Sequence, residues 1–312
     1  MKKYRKKLVL FVIGILVIAF VTGMFWVRQP YYKKYHYVAH ALGGIDGLEY
    51  TNSKEALEYS YSMGNRLMEI DFLYTSDGKL VCRHKWSDDF KDGFSNENIP
   101  DYETFMSSKI YGIYTPLDLE AVLQFARDNP DVYFITDTKL EAGQVIAILE
   151  SIEEAAEKIG YTDYKRQFVI QFYNYENYEQ IRERFSFENY IFTLYHMKSE
   201  LRENGIDNIL DFCVEKNIKV LTIPQKYITK EICKKLKKNG ITVFVHTIDS
   251  RKSVLELRFM GVNGVYSNYV YPYKMLRLIL AMLLLLLIMA AILFALIYFL
   301  KTVIKVKKLS RQ

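Results

Sequence analysis

Residues 66–84 read RLMEIDFLYTSDGKLVCRH. This stretch contains two short apolar runs, Arg66–Leu73 and Leu80–Arg83, separated by TSDG at 75–78. An Asp-Gly pair between two such runs is typical of the tight turn of a β-hairpin. The sequence therefore predicts two antiparallel strands, the second of which returns the chain towards the first.

Apolar runs of the same kind recur along the chain and alternate with helix-like stretches. The further strand-like runs are Tyr37–Ala41, Val132–Thr136, Gln167–Phe172, Tyr190–Leu194, Lys219–Ile223, Thr242–Thr247 and Val262–Ser267. Apolar residues at spacings of three and four predict helices at Ser53–Met63, Leu117–Arg127, Ala142–Lys158, Tyr175–Phe185, Ser199–Lys216 and Thr229–Lys238. Alternating strands and helices imply βαβ units and a parallel sheet. About eight such units in one domain predict an α/β fold that closes into a (β/α)8 TIM barrel.

Two long apolar segments flank the predicted barrel. Residues 8–27 and 275–300 each reach the roughly 20 residues that a helix needs to cross a bilayer. The first segment also fits a cleaved signal peptide, because basic residues precede it, but no A-x-A cleavage site follows. We favour an uncleaved N-terminal transmembrane helix, paired with a C-terminal one.

The charge of the two tails predicts their orientation. Residues 1–7 carry five Lys or Arg and 277–312 carry six, without a single acid. The remaining chain holds 31 basic and 36 acidic residues, so the net charge of +6 comes from the tails and does not indicate nucleic-acid binding. Positive flanks stay in the cytoplasm. We expect a two-pass protein of the cell membrane, with cytoplasmic tails at 1–7 and 301–312 and an extracytoplasmic barrel at 28–274.

The three cysteines, Cys82, Cys213 and Cys233, show no metal-binding spacing. Buried apolar thiols are the simpler interpretation. A bridge between Cys213 and Cys233 stays open, because the predicted barrel faces a side of the membrane where oxidation can occur.

Chemistry in such barrels sits at the C-terminal ends of the strands. The polar residues at or near those ends are His40, Glu69, Asp71, Asp137, Lys139, Gln171 and His246. Glu69 and Asp71 share one strand face, since residues i and i+2 of a strand point the same way. Two carboxylates inside an apolar run must be paired or hold a cation, unless they are simply exposed at the strand end. Asp137 and Lys139 repeat this spacing with an acid and a base, which could also form a structural ion pair.

Two histidines flank the carboxylates. His40 ends the first run and His84 follows the hairpin, just before an irregular stretch at 85–116 that we expect to cap the site. Imidazoles move protons near neutral pH, and carboxylate oxygens hold hard cations, which together suit metal-assisted cleavage of a phosphoester. His36 and His196 lack this context and are interpreted as structural, whereas His246 could line the pocket.

The order of these motifs resembles the glycerophosphodiester phosphodiesterase family. That family has a His-Arg-Gly strand, Glu-Asn-Thr, Glu-x-Asp, a Thr-x-Asp-Gly-like turn, His-Asp, Glu-x-Lys, Trp-Thr and Gly-Val-Asp-Gly. The corresponding residues are His40-Ala41, Thr51-Asn52-Ser53, Glu69-Ile70-Asp71, Thr75-Ser76-Asp77-Gly78, His84-Lys85, Asp137-Thr138-Lys139, His246-Thr247 and Gly261-Val262-Asn263-Gly264. The resemblance spans about residues 37–268, nearly the whole predicted barrel.

The resemblance implies a TIM barrel that hydrolyses glycerophosphodiesters with a divalent metal, usually Ca²⁺ or Mg²⁺. The matched positions imply general acid and base roles for His40 and His84, metal binding by Glu69, Asp71 and Asp137, and phosphate contact by Lys139. Gln171 and His246 are further candidates for substrate contact.

Three positions depart from the family's pattern. Ala41 replaces the arginine that would contact the phosphate, Thr51 replaces a metal-binding glutamate, and Lys85 replaces the aspartate after the second histidine. A compensating ligand could come from Glu49 or Asn52, and a compensating phosphate contact from Arg83 or Lys85.

The sequence thus predicts a membrane-anchored phosphodiesterase that acts by histidine general acid/base catalysis. The expected substrate is a lipid head group, a free glycerophosphodiester or a wall polymer, which places the enzyme in lipid or wall metabolism. The alternative is a catalytically impaired barrel that binds a phosphodiester or a lipid, or that acts as a scaffold. The sequence names no protein partner.

Overall fold

The computed structural model describes residues 28–138 and 142–309, together with seven positions between 13 and 25. Of the 20 residues of the predicted N-terminal transmembrane helix at 8–27, 13 lie outside the described residues, as does Lys139. The N-terminal transmembrane helix and the role of Lys139 therefore remain predictions.

Within the described residues, eight parallel strands close into a barrel. The strands are β1 (Tyr37–Ala39), β2 (Leu67–Tyr74), β4 (Tyr133–Asp137), β5 (Phe168–Phe172), β6 (Asn189–Thr193), β7 (Val220–Pro224), β8 (Thr242–His246) and β9 (Gly264–Ser267), and the short β3 (Leu80–Cys82) lies outside the ring. Neighbours follow the order β1, β9, β8, β7, β6, β5, β4, β2, and a pairing of β1 with β2 closes the ring. The predicted (β/α)8 barrel is confirmed.

Helices surround the barrel and connect its strands. In chain order they are α1 (Tyr31–Lys34), α2 (Lys54–Ser62), α3 (Tyr102–Ser107), α4 (Leu119–Asp128), α5 (Ala142–Lys158), α6 (Tyr164–Gln167), α7 (Tyr175–Arg184), α8 (Lys198–Glu203), α9 (Asp207–Glu215), α10 (Lys230–Lys238), α11 (Arg251–Met260) and α12 (Pro272–Leu309). The single helix predicted at Ser199–Lys216 is two helices, because Gly205 adopts a left-handed φ of 68° between α8 and α9.

The predicted hairpin is present. β3 runs antiparallel to the end of β2, with Phe72 opposite Cys82 and Tyr74 opposite Leu80. The turn closes through a 3.0 Å hydrogen bond from the Gly78 amide to the Thr75 carbonyl. Gly78 has a φ of 76°, which glycine adopts without a steric penalty. The hairpin thereby delivers the residues after β3 to the rim of the barrel.

The interior of the barrel is packed at its N-terminal end. Val38, Ile135, Val169 and Phe244 are buried there with other inward-facing side chains. Tyr31 of α1 joins this cluster, and its ring stacks on that of Tyr133 with centroids 5.2 Å apart. α1 therefore covers the N-terminal end of the barrel, and the C-terminal end is left open for a site.

The three cysteines are buried free thiols. Burial raises the pKa of the Cys213 thiol to about 12, so this sulfur stays protonated and unreactive near neutral pH. The buried-thiol interpretation is confirmed, and the structure contains no bridge between Cys213 and Cys233.

α12 begins as part of the barrel and continues beyond it. Met275 is 2% exposed within the main core, and Leu278 packs against the same core. From there the helix is apolar and exposed, and its segment Pro272–Phe299 is the one helix among the described residues that is long and apolar enough to cross a membrane. The predicted C-terminal apolar segment at 275–300 is thus a continuous helix.

Candidate active site

A cavity of about 340 Å³ opens at the C-terminal ends of the strands. Its lining residues are His40, Tyr50, Glu69, His84, Lys85, Asp137, Gln171, Tyr173, Thr193, Tyr195, His196, His246 and Thr247. The structure therefore gathers both candidate catalytic histidines and two of the three candidate metal-binding carboxylates around one space, together with Lys85, Gln171 and His246.

His40 follows β1 and is oriented through an amide network. Its Nδ1 lies 2.9 Å from Asn268 Oδ1. The Asn268 amide nitrogen donates to Glu49 and, over 3.0 Å, to Asp249, which fixes the amide oxygen towards His40. His40 Nδ1 therefore carries the proton, and Nε2 lies 3.4 Å from Glu69 Oε2. Glu49 accepts from Asn268 in this network, and its role as a metal ligand stays a prediction.

His84 is held by a carboxylate and an aromatic ring. Its Nδ1 donates to Asp88 Oδ2 over 2.7 Å. The imidazole stacks on Tyr50 at 4.5 Å, and Tyr50 also meets the edge of His40 at 5.0 Å between ring centroids. Tyr50 thus lies between the two histidines, and both imidazoles are confined to defined orientations.

The three carboxylates are buried, with exposures of 3–5%. Asp71 and Asp137 are register partners on the adjacent strands β2 and β4. Asn52 donates to Asp71 Oδ2 over 2.9 Å and accepts from the Asp71 amide over 3.2 Å. Tyr173 donates to Asp137. Asn52 therefore orients a carboxylate, whereas the sequence offered it as a possible ligand.

The donor set suits a hard cation only in part. Glu69 and Asp137 line the cavity, but no group of three or more His, Cys, Asp or Glu side chains in the described part of the chain is arranged to hold an ion. Mg²⁺ is commonly held by one or two carboxylates plus substrate phosphate oxygens. The residues present fit a cation shared with the substrate, not one enclosed by the protein alone.

Ala41 and Thr51 stand where the family has an arginine and a glutamate. Ala41 is fully buried and adopts a left-handed φ of 47°. Thr51 is also fully buried, with its hydroxyl 3.0 Å from that of Ser53 at the start of α2. Both side chains are part of the packing beneath the site.

Arg83, which the sequence offered as a possible phosphate contact, is buried and is not among the residues that line the cavity. The guanidinium is 1% exposed and pairs with Asp92 Oδ2 at 2.6 Å. Its Nε donates to the Lys85 carbonyl, and the rings of Trp86 and Phe90 lie within 4.9 Å. Arg83 therefore anchors the 85–116 loop. This segment, residues 85–116, is called the capping loop below; it contributes Lys85 to the cavity lining and contains the α3 helix, which the sequence did not predict.

Several cavity residues were missed from the sequence. His196 was interpreted as structural, but it lines the cavity with Tyr195, directly after β6, and its ring lies 5.5 Å from Tyr173. The rule that chemistry follows strand ends applies to all three residues and could have found them. His36, by contrast, lies at the N-terminal end of the barrel, and burial there lowers its pKa to about 4.

A TIM barrel with paired histidines and carboxylates at its C-terminal face defines the class of protein. A family model described as the glycerophosphoryl diester phosphodiesterase family matches residues 44–271, and the chain belongs to that family. The motif-based resemblance is confirmed, and with it the reaction class, phosphoric diester hydrolysis.

Individual relatives agree with this assignment. A Bacillus subtilis (strain 168) protein named as a glycerophosphodiester phosphodiesterase, YhdW, is 23% identical over 242 residues, covering 74% of this chain and 93% of the relative. A glycerophosphodiester phosphodiesterase structure from Galdieria sulphuraria is 16% identical with a TM-score of 0.62, covering 78% of this chain and 97% of its own. An Oleispira antarctica phosphodiesterase structure with the product sn-glycerol-3-phosphate is 19% identical, with a TM-score of 0.61. The match covers 80% of this chain and 99% of that chain. These structures share the fold.

Proposed function

We propose that this protein is a membrane-anchored, metal-assisted hydrolase of glycerophosphodiesters in which His40 and His84 act as general acid and base. The observation that carries the proposal is the shared cavity. Both imidazoles border it together with Glu69 and Asp137, and each imidazole has its Nδ1 engaged by a fixed acceptor. We assign proton transfer to the two Nε2 atoms, and that of His40 lies 3.4 Å from Glu69 Oε2.

The two histidines divide the proton transfers. One takes a proton from the nucleophile, which is either water or the hydroxyl next to the phosphate on the substrate's own glycerol. The other gives a proton to the leaving alkoxide. When His84 is protonated at both ring nitrogens, the Asp88 carboxylate stabilises the positive charge of the imidazolium. A carboxylate facing a catalytic imidazole has the same effect in other hydrolases.

Substrate contacts come from the remaining cavity residues. Lys85, Gln171 and His246 border the same space and are positioned to bind phosphate or glycerol oxygens. Lys139, which the resemblance assigns to the phosphate, remains a candidate outside the described residues.

Glu69 and Asp137 would hold the divalent metal, Ca²⁺ or Mg²⁺, with Asp71 beside them on β2. A bound cation would polarise the phosphoryl oxygens. The proposal rests on the oxygen donors of these carboxylates and on the place that the cavity leaves for a phosphate.

The membrane anchor is proposed from α12 and from the charge of the tails. An apolar helix of 28 residues continues directly from the barrel, and the basic flanks place both termini in the cytoplasm. A reporter that works only outside the membrane, fused after residue 312, should be inactive. Reporter activity there would contradict the two-pass topology.

Replacement of the histidines tests the proposed chemistry. His40→Ala and His84→Ala should each lower the rate of glycerophosphodiester cleavage by about 10² or more, with little loss of stability. The double variant should lose little beyond the slower single variant, because residues that act as a unit are not additive. His36→Asn, at the opposite end of the barrel, is the control and should keep the wild-type rate.

A catalytically impaired binding barrel remains the second candidate, because Ala41 and Thr51 supply neither a phosphate contact nor a metal ligand. Unchanged cleavage in both histidine variants would exclude the proposed mechanism. Binding of a phosphodiester without any cleavage by the wild-type chain would establish the second candidate.

A further inference from the structure

Both ends of the described barrel leave it at the same face, and this face is opposite the cavity. Strands of a (β/α)8 barrel run in one direction, so the segments that precede them form the N-terminal face. Residues 28–36 reach β1 at that face, where α1 covers the barrel. The chain that links the barrel to the N-terminal apolar segment therefore arrives opposite the cavity.

α12 leaves the barrel at the N-terminal face as well. The Tyr273 amide donates to the Met63 carbonyl over 3.2 Å. Met63 directly follows α2 and lies four residues before β2 begins. The Tyr273 ring packs closely against Gly64. A Cβ atom added at Gly64 would lie only 2.9 Å from that ring. After Leu278 the helix no longer packs on the core. The apolar part of α12 thus extends away from the barrel beside the loop that feeds β2.

The N-terminal face is basic although the barrel as a whole is acidic. Its segments are 28–36, 63–66, 128–132, 157–167, 182–189, 214–219, 235–241 and 258–263. Together they hold 15 Lys or Arg and seven Asp or Glu, whereas the chain between the tails has 31 bases and 36 acids. Lysines at helix C-termini partly reflect the helix dipole, and Lys33 and Lys34 end the short α1, whereas Arg28 lies outside any helix.

Exposed apolar side chains lie on the same face. Phe259, in the last turn of α11, is 87% exposed. Val214, in the last turn of α9, is 53% exposed, and Tyr273 beside Gly64 is 47% exposed. Aromatic and basic side chains are the groups enriched where a protein meets lipid head groups. Charge and composition therefore both match an anionic bilayer surface.

We propose that the N-terminal face rests on the lipid surface and that the catalytic mouth opens away from it. This inference builds on the proposed function and narrows its substrate class. A five-residue barrel strand rises roughly 16 Å, and the loops at both ends add to the separation. A head group in the anchoring bilayer cannot reach a cavity at that height. The substrate is therefore a glycerophosphodiester presented from the aqueous side, free or on a polymer, and not a lipid of the anchoring membrane.

The orientation can be measured without any activity. The native cysteines are buried, so a single cysteine introduced at an exposed position can be labelled selectively with a fluorophore. The two variants are Phe259→Cys on the N-terminal face and Ile113→Cys in the capping loop, where Ile113 is 61% exposed. The loop lies on the mouth side, since the Thr115 carbonyl accepts from Lys54 at the start of α2. The full chain is placed in phosphatidylcholine–phosphatidylglycerol vesicles with head-group spin-labelled lipid. Quenching should be several-fold stronger at position 259 than at 113, and equal or reversed quenching would overturn the proposal.

The substrate half is tested in the same vesicles. Externally added glycerophosphoglycerol should be cleaved, while the phosphatidylglycerol of the protein's own vesicle should be consumed at least tenfold more slowly. Comparable cleavage of the vesicle's own lipid would overturn the substrate assignment. Cleavage of neither compound would count against the proposed function, and the quenching result would still decide the orientation.

Discussion

At the scale of single residues, Glu69 is the sharpest test of the metal proposal. Glu69→Gln keeps the shape of the side chain and removes its charge, so Mg²⁺ or Ca²⁺ affinity should fall by about 10-fold or more. Isothermal titration of the detergent-solubilised full chain measures this directly. Glu97→Gln, at an exposed position in the capping loop, is the matched control. Equal affinity in wild type and the Glu69 variant would remove this carboxylate from the set of ligands.

His36 gives the folded chain a specific pH dependence. Burial, aided by the nearby Arg258 guanidinium, lowers its pKa from 6.5 to about 4. As the pH falls below 6.5, His36 takes up a proton in the unfolded chain before it does so in the folded chain. The contribution of His36 to the free energy of unfolding is therefore fully present above pH 6.5 and is lost between pH 6.5 and pH 4. The loss should be about 1–2 kcal/mol once solvent screening is allowed for.

Unfolding of wild type and His36→Asn, followed by circular dichroism at pH 7 and pH 4.5, tests this dependence. Asparagine does not titrate in the range, so the variant should lose less stability on acidification than wild type. The same pH dependence in both proteins would show that His36 is not the group responsible.

The residues predicted from sequence were those whose position along a strand determines their direction. Glu69 and Asp137 follow from strand periodicity, and His84 follows from the hairpin. The supporting groups could not be predicted in this way. Asn268 reaches His40 across 228 residues of sequence, and Asp88 meets His84 only because the loop after β3 folds back. Such contacts depend on the closed barrel and leave no local pattern.

At the scale of elements, most strands and helices could be predicted because local apolar spacing and tertiary burial agree. The capping loop is the exception. Its stability comes from the buried Arg83–Asp92 pair, surrounded by the rings of Trp86, Phe90 and Phe94. No periodicity reveals an interaction of this kind, so the sequence offered Arg83 only as a possible phosphate contact.

Removal of Asp92 should therefore unfold the capping loop. Asp92→Ala leaves a buried, unpaired guanidinium, which typically costs about 3–5 kcal/mol. Chemical denaturation should show that loss, and limited proteolysis should cut within 85–116. The exposed neighbour Asp89→Ala is the control and should change stability by no more than about 0.5 kcal/mol. Equal stability of the two variants would contradict the anchoring role of Arg83.

At the scale of the whole molecule, the barrel separates two chemistries. Its C-terminal face carries the imidazoles and carboxylates of the cavity, and its N-terminal face carries an excess of basic residues, the exposed rings of Phe259 and Tyr273 and the start of the apolar helix. The closed barrel could be predicted from the count of alternating strands and helices. The exit of α12 beside α2 could not, because it depends on contacts of Met275 and Tyr273 with distant elements.

Hydrolysis of a water-soluble glycerophosphodiester by the purified full-length chain is the measurement that bears most directly on its function. Glycerophosphocholine and glycerophosphoethanolamine would be supplied with Mg²⁺ or Ca²⁺, and release of glycerol phosphate would be followed with and without a chelator. We expect metal-stimulated release of glycerol phosphate from at least one of the two compounds. Binding of either compound without cleavage under any divalent metal would contradict the account and identify the barrel as a binding module.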